Sequence, residues 1–416
     1  MPCQVVILCG GMGSRLGNLT KSTPKPLLDI GGQTFLDFLM KDLCRFGFSS
    51  ILLLAGYEGN KIYDRFHNKK ILGVPIEVQV CAHQNGTGGD LLDHLNILDD
   101  DFLIVNGDSW VDTNYLNFYQ FVLRQKRAEV CEGSILLKSD PEYRRYGAVQ
   151  VEGLKVKAFL EKVDLKPQLD TNLINTGIYY FSKKLLLTYR RSSEKVSLER
   201  DMIPYFVERE EIGYQVLPNE TFFIDIGIPE TFRYACAFLN KHSTRPAIFF
   251  DRDNTLVFDS GYNHDASNIQ WVPGAKHLIK ALNDAGCYVF IITNQGGVAK
   301  GFYTEATVDI FHETMQRQLQ MIGAHIDEFK YCVHHQDINL DGKKVDCCRR
   351  KPNPGMLTEI INDWPINAKK SLVIGDKHTD VLAGKCIGLT GLLINNSSRS
   401  LFEHVLEICG ELNVFK

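Results

Sequence analysis

The chain has 416 residues, 44% of them hydrophobic and 23% charged, with a net charge of −4. That length exceeds what one hydrophobic core usually spans, so two domains are expected, each with ample core. The composition excludes a disordered, collagen-like or coiled-coil chain. No block of like charges long enough for a nucleic-acid surface or a polybasic membrane anchor occurs.

No apolar run approaches the roughly 18 residues that cross a bilayer, and glycines cut the first apolar run short, unlike a signal peptide. A soluble, cytoplasmic protein is expected, with small molecules rather than nucleic acid or membrane as partners; a homo-oligomer stays open. The 12 cysteines read as reduced thiols in a large chain without a secretion signal. Cys9, Cys44, Cys287 and Cys386 read as core residues, and only Cys332, Cys347 and Cys348 depart from that pattern.

From the N-terminus, Val5-Val6-Ile7-Leu8-Cys9 predicts a buried strand. It opens into Gly10-Gly11-Met12-Gly13-Ser14-Arg15, a flexible loop carrying a cation and suited to anionic phosphates. Leu16 stands where a dinucleotide fingerprint has its third glycine, and no Walker lysine-serine pair follows. Lys25 lies between Pro24 and Pro26, which restrict the backbone that carries its ammonium. Apolar runs at Ile51–Leu54, Ile76–Val80, Phe102–Val105 and Ile135–Leu137 alternate with helix-like stretches such as Thr34–Phe46 and Gly88–Ile97, the cadence of a mainly parallel α/β sheet. Asp108 follows one apolar run and Asp225 another, where α/β sheets place ligands. Two such carboxylates, with phosphate oxygens and water, suit Mg²⁺.

These motifs resemble the sugar-1-phosphate nucleotidylyltransferase family over about residues 3–238, most closely its D-glycero-α-D-manno-heptose 1-phosphate guanylyltransferase branch. The resemblance implies a Rossmann-like nucleotidyltransferase sheet. In it Gly10, Gly11, Gly13 and Arg15 grip the nucleoside triphosphate, Lys25 contacts the phosphates, and Gly86-Thr87-Gly88-Gly89 approaches the base. It also implies Asp108 and Asp225 as Mg²⁺ ligands, with Glu161, Lys162 and Asn175 on the sugar phosphate. Asn85 departs from the family's usual leucine. The implied reaction is direct attack of a sugar phosphate oxygen on the nucleotide α-phosphorus, with Arg15 and Lys25 neutralising charge.

The strand cadence restarts after the polar stretch Leu239-Asn240-Lys241-His242-Ser243-Thr244-Arg245-Pro246. Domains at 1–240 and 247–416 are therefore expected, with a linker at about 241–246. Strands are expected at Ala247–Phe250, Tyr288–Ile292, Ser371–Ile374 and Thr390–Ile394. Asp251 and Asp253 stand one residue apart immediately after the first of these runs, a repulsive pairing that points to a cation or a phosphoryl transfer. Thr293-Asn294, Arg350-Lys351 and Asp376 with Asp380 join them from distant parts of the sequence. Strand-end loops converge in such folds, so these groups are expected in one pocket.

This set resembles the haloacid dehalogenase-like phosphatases over about residues 246–398, a Rossmannoid sheet. The resemblance implies Asp251 as nucleophile forming an aspartyl-phosphate, and Asp253 as acid and then base. Thr293, Asn294, Arg350 and Lys351 would hold phosphate, with Mg²⁺ held by Asp251, Asp376 and the Asp253 carbonyl. Asp259-Ser260-Gly261-Tyr262, Asn294-Gln295-Gly296-Gly297 and Arg350–Met356 resemble the branch with heptose 1,7-bisphosphate 7-phosphatases and histidinol phosphatases. That branch often carries a structural Zn²⁺ loop, matched here by Cys332 and His334. Its second pair, normally Cys-x-Cys, reads Cys347-Cys348 followed by Arg349, and leaves both a Zn²⁺ site and free thiols open.

The two resemblances share an intermediate, because removing the C7 phosphate from heptose 1,7-bisphosphate leaves the 1-phosphate that a guanylyltransferase joins to GMP from GTP. A bifunctional enzyme of GDP-heptose synthesis is expected. Three alternatives remain at this point: a histidinol-type or other sugar phosphatase, a thymidylyl- or uridylyltransferase, and a noncatalytic nucleotide-sugar sensor.

Overall fold

The computed structural model describes residues 3–81, 85–141, 146–161, 171–191, 193–335, 347–394 and 401–411. The chain forms two compact units, Pro2–Leu239 and Asn240–Lys416. The helix Pro229–His242 runs on through Leu239-Asn240-Lys241-His242, so the first half of the polar stretch is helical. Its basic last turn complements the negative end of the helix dipole.

The first unit is built on a ten-stranded sheet. The strand Gln4–Cys9 lies between Ser50–Ala55 and Asp101–Asn106 and is parallel to both. All six of its residues are buried, as expected of a strand covered on both faces. Its side chains alternate between two cores: Val5, Ile7 and Cys9 pack on one face, Val6 and Leu8 on the other. The sheet is mixed rather than mainly parallel. Leu173–Ser182 inserts antiparallel between Asp101–Asn106 and Gly133–Ser139, and Ala148–Glu152 and Lys155–Leu160 form an antiparallel pair at the far end. A small two-stranded ribbon, Ser109–Val111 with Phe223–Asp225, lies outside the main sheet.

Flanking helices have local reasons to start where they do. Thr34 caps Phe35–Cys44: its hydroxyl accepts from the Asp37 N–H at 3.1 Å, and the Asp37 carboxylate accepts from the Thr34 N–H at 3.1 Å. The helix then buries Phe35, Leu36, Phe38, Leu39, Met40 and Leu43, each such side chain contributing about 1.5–3 kcal/mol by leaving water.

The second unit has five parallel strands in the order Glu328–Cys332, Tyr288–Asn294, Ala247–Phe250, Leu372–Gly375, Thr390–Leu393. Ala247–Phe250 is central, so the residue that follows it, Asp251, emerges between the ends of Tyr288–Asn294 and Leu372–Gly375. Phe249 stacks on Phe290 with ring centres 5.2 Å apart, and Trp364 meets Phe290 edge-on at 5.3 Å. Cys9, Cys44 and Cys287 are core residues. Cys386 is not: it caps the helix His378–Lys385 and is exposed. No helix among the described residues is long and apolar enough to cross a membrane.

Candidate active sites

In the first unit, Gly13 is left-handed (φ 62°) and starts the 3₁₀ turn Ser14–Thr20. A Cβ there would meet Thr20 at 3.0 Å and Lys25 at 3.2 Å, so glycine lets the loop close on the lysine. The Thr20 hydroxyl fixes the loop by donating to the Gly13 carbonyl at 3.0 Å. Arg15 stands exposed on this turn. Lys25 is buried, and its ammonium donates to Asp108 and lies 3.8 Å from Asp225. The ribbon explains that meeting, because Asp225 is paired with Ser109, the neighbour of Asp108, and Ile226 N–H donates to the Asp108 carbonyl at 2.9 Å.

The Gly86–Gly89 loop opens the helix Gly86–Asp93 and is anchored, with Gly88 and Gly89 N–H both donating to the Val196 carbonyl at 3.0 Å. Asn85 turns back along this helix and donates to Asp93 at 2.6 Å. The Thr87 hydroxyl accepts from Leu198 N–H at 2.9 Å and donates to Glu199 at 3.2 Å. Burial first and the neighbouring Glu161 second push the Glu199 carboxyl above its ordinary range. Glu199, Glu161 and Asp108 all act on the Tyr179 phenol, which binds the Asn175 amide at 2.6 Å. The Gly86–Gly89 loop, through Thr87 and Glu199, and Asn175, through Tyr179, are thus linked by neighbouring acidic groups. Glu199 was not legible in sequence, because it follows no strand and sits in the π-helical turn Leu198–Met202; such turns are frequent at functional sites. Lys162 lies outside the described residues.

In the second unit the distant elements do converge. The Lys351 ammonium donates to Asp251 Oδ1 at 2.6 Å and to the Ile292 carbonyl at 2.6 Å, and lies 2.7 Å from Asp380 Oδ1. Burial works against its charge, but Asp251 and Asp380 outweigh it, so its pKa is raised. Asn294 holds the lysine backbone at both ends: its amide donates to the Lys351 carbonyl at 3.0 Å and its oxygen accepts from Lys351 N–H at 3.1 Å.

Asp251, Asp376 and Asp380 gather carboxylate oxygens within 4.8 Å of one another. Asp376 Oδ1 has no hydrogen-bond partner, and burial followed by the charge of Asp251 pushes its carboxyl up to about 6. A buried, partnerless oxygen among carboxylates suits a hard cation that coordinates oxygen.

The Asp253 carboxylate is held apart from that group. Arg252 reaches it twice, at 2.7 and 3.1 Å, and the Gln295 amide donates to it at 2.9 Å. Burial raises its pKa, and Arg252 opposes that rise. Arg252 is itself fixed over the Phe311 ring at 4.5 Å and within 3.5 Å of His312 Nε2, whose pKa burial and the guanidinium hold well below its ordinary value. Thr293 accepts from the same Gln295 amide at 2.9 Å. Of the two arginines, Arg349 lies 3.0 Å from Glu359, whereas Arg350 donates to the His334 carbonyl at 2.6 Å and stands over Gly296 of the Asn294–Gly297 loop.

Cys332, His334 and Cys347 also come together. Cys348 does not join them; it is exposed, since adjacent side chains point different ways.

A mixed α/β sheet with a glycine-loop site, followed by a parallel sheet with an aspartate-lysine site, defines a nucleotidyltransferase joined to a haloacid dehalogenase-like phosphatase. The chain belongs to the nucleotidyl transferase family, whose model matches residues 4–242, and a HAD-hydrolase-like model matches residues 348–403. A D-glycero-beta-D-manno-heptose-1,7-bisphosphate 7-phosphatase of Rhodopseudomonas palustris is 40% identical over 158 residues, 38% of this chain and 88% of that protein. A D-glycero-alpha-D-manno-heptose 1-phosphate guanylyltransferase of Campylobacter jejuni is 28% identical over 229 residues, 55% of this chain and 96% of that protein. A solved UDP-glucose pyrophosphorylase of Acinetobacter baumanii shares the fold, with a TM-score of 0.50 at 16% identity, covering 58% of this chain and 94% of that one.

Proposed function

We propose that the second unit removes the C7 phosphate of D-glycero-α-D-manno-heptose 1,7-bisphosphate, and that the first unit transfers GMP from GTP to the resulting 1-phosphate. GDP-heptose and pyrophosphate are then the products, formed in the cytoplasm. The observation that carries this reading is the presence, on one chain, of relatives of both enzymes. The product of one reaction is the substrate of the other.

In the phosphatase half, Asp251 attacks phosphorus and the C7 oxygen departs. Lys351 balances the charge that gathers at Asp251 and Asp380, while Thr293 and Arg350 hold phosphate oxygens. Asp253 protonates the leaving alkoxide; the same carboxylate, now ionised, takes a proton from the water that attacks the aspartyl-phosphate. The oxygen donors of Asp251 and Asp376 fit Mg²⁺, which would reduce repulsion between nucleophile and phosphate.

In the transferase half, Arg15 and the glycine loop grip the triphosphate and Lys25 neutralises its charge as pyrophosphate leaves. The Gly86–Gly88 loop faces the base, and Glu161, Lys162 and Asn175 hold the sugar phosphate. Asp108 and Asp225 fit a second Mg²⁺ once Lys25 turns to the phosphates. The Cys332, His334 and Cys347 donors fit Zn²⁺, which takes thiolate and imidazole.

The relatives bear opposite anomers in their names, β for the phosphatase and α for the guanylyltransferase. A relay within one chain requires the α form throughout. The test supplies the purified chain with Mg²⁺, GTP and either anomer of the bisphosphate, following phosphate and pyrophosphate together. Both products are expected from the α anomer; phosphate from the β anomer alone, with no pyrophosphate from either, refutes the relay.

A further inference from the structure

We infer that Asp90 reads the base of the nucleotide, its carboxylate accepting from the N1–H and the 2-amino group of guanine. The inference rests on the proposed guanylyl transfer and adds the residue that makes guanine the base chosen.

Asp90 lies between the two loops read as holding the nucleotide. It follows Gly86 by one turn of the helix Gly86–Asp93, so the two share a face. A Cβ at Gly10, the first residue of the glycine loop, would meet Asp90 Oδ2 at 3.4 Å, and glycine leaves that side of the carboxylate uncovered. The thiol of Cys81, the residue after the strand Val74–Val80, hydrogen-bonds the same carboxylate. Gly10 and Cys81 both follow parallel strands of one sheet, at the edge where such folds bind ligands. Asp90 is 5% exposed, and its Oδ1 has no hydrogen-bond partner among the described residues. Asp93, the other acid of this helix, is satisfied instead: Asn85 donates to one of its oxygens at 2.6 Å and Arg191 to the other at 2.7 Å. Burial is the main cause that pushes the Asp90 carboxyl above its ordinary range, with the Cys81 thiol opposing it. A buried carboxylate is costly until further donors pair it, and a ligand with N–H groups supplies them.

The chemistry of the carboxylate selects the base. An ionised carboxylate only accepts, through two oxygens set side by side, and each oxygen accepts more than once, so the Cys81 thiol leaves room for a base. Guanine presents two adjacent donors on its Watson–Crick edge, N1–H and the 2-amino group. Adenine and cytosine set a ring nitrogen lone pair beside their amino group, and uracil places its one N–H between two carbonyls. Each of these turns a lone pair toward the carboxylate, so the group that pairs guanine repels the others. Paired N–H donors on a carboxylate are also among the strong, directional hydrogen bonds.

Pyrophosphate release by the full chain with Mg²⁺, heptose 1-phosphate and either GTP or ITP tests this, because ITP differs from GTP only in lacking the 2-amino group. The wild type is expected to prefer GTP by about 10–100-fold in kcat/KM, the worth of one hydrogen bond to a charged group. Asp90→Asn keeps the shape but replaces one acceptor by a donor. It should lose about 100-fold with GTP and bring the two nucleotides nearly level, with the KM for heptose 1-phosphate unchanged. Calorimetric titration of GTP and ITP makes the same comparison on a variant that no longer turns over. Equal use of GTP and ITP by the wild type overturns the assignment of Asp90 while leaving guanylyl transfer in place. So does a variant slowed alike with both nucleotides, which is the mark of a merely structural carboxylate. A wild type that releases no pyrophosphate from GTP overturns the guanylyltransferase reading, and the inference with it.

Discussion

Gln295 Nε2 lies 2.9 Å from Asp253 Oδ2 and 2.9 Å from Thr293 Oγ1, tying the carboxylate proposed as acid and base to the hydroxyl proposed to hold phosphate through one amide. Its carbonyl oxygen in turn accepts from Arg252 at 3.0 Å and from the Tyr303 hydroxyl at 2.8 Å, so the amide orientation is fixed from both sides. Gln295→Leu keeps the bulk and removes both functions. Phosphate release should fall by about 10–100-fold, within the contribution of a positioned acid-base group. The sign of the pH effect follows from the lost donor. An N–H to a carboxylate favours its ionised form, so without it the raised pKa of Asp253 rises further. The alkaline limb of phosphate release should therefore move to higher pH, and an unmoved limb would separate Gln295 from Asp253.

Burial, and after it the charge of Asp251, pushes the Asp376 carboxyl up to about 6 from an ordinary value of 3.8. Between those values the folded state binds more protons than the unfolded one, so this group makes the metal-free chain less stable as pH rises through that window. A cation reverses the effect, since only the ionised carboxylate binds it. Thermal melting with and without Mg²⁺ should show a larger metal-induced rise at pH 7 than at pH 5. In Asp376→Asn the difference between the two pH values should shrink; equal shifts in wild type and variant would contradict the assignment.

The strand-end aspartates were legible because an apolar run followed by Asp marks the carboxyl edge of a sheet, as at Phe250-Asp251 and Ile374-Gly375-Asp376. Glu199 and Gln295 were not recognised as site members, since their roles depend on contacts made across the fold: Glu199 with Thr87, 112 positions away, and Gln295 with Asp253, 42 positions away. The insertion of Leu173–Ser182 was missed for a similar reason. Strand direction leaves no mark in a buried apolar run such as Gly177-Ile178-Tyr179-Tyr180-Phe181, which suits either orientation. Cys386 was misassigned because the residue that caps a helix belongs to neither of its faces, so neighbouring apolar residues say little about its exposure.

Lys25 stands between Asp108 and Asp225, in the space that Mg²⁺ would use. Lys25→Met should bring the two carboxylates under mutual repulsion, and so increase the affinity of the nucleotide-free enzyme for a divalent cation. Pyrophosphate release should nevertheless fall by about 100-fold or more, because the ammonium no longer meets the developing phosphate charge. Mn²⁺ binding followed by electron paramagnetic resonance, alongside a pyrophosphate assay, reads both effects. Weaker Mn²⁺ binding with unchanged pyrophosphate release would leave Lys25 a purely structural bridge.

Gly375 ends the strand Leu372–Gly375 with its backbone pressed against Asp380, which lies beside Lys351 in the proposed phosphatase site. A Cβ at this position would lie 2.2 Å from Asp380 Oδ2 and 2.5 Å from Asp380 Cβ. Neither atom can yield cheaply: Oδ2 accepts from Lys377 N–H at 3.0 Å, and Oδ1 lies 2.7 Å from the Lys351 ammonium. Gly375→Ala should therefore cost about 1–3 kcal/mol of stability, the usual range for an overpacked site. Displacing Asp380 also removes one of the two charges that hold Lys351, so phosphate release should drop by about 100-fold. Pyrophosphate release, which belongs to the other unit, should stay near wild type. Thermal melting and the two product assays on the same preparation separate these effects, and a variant as stable and as active as wild type in phosphate release would show that the close approach of Gly375 and Asp380 is not required.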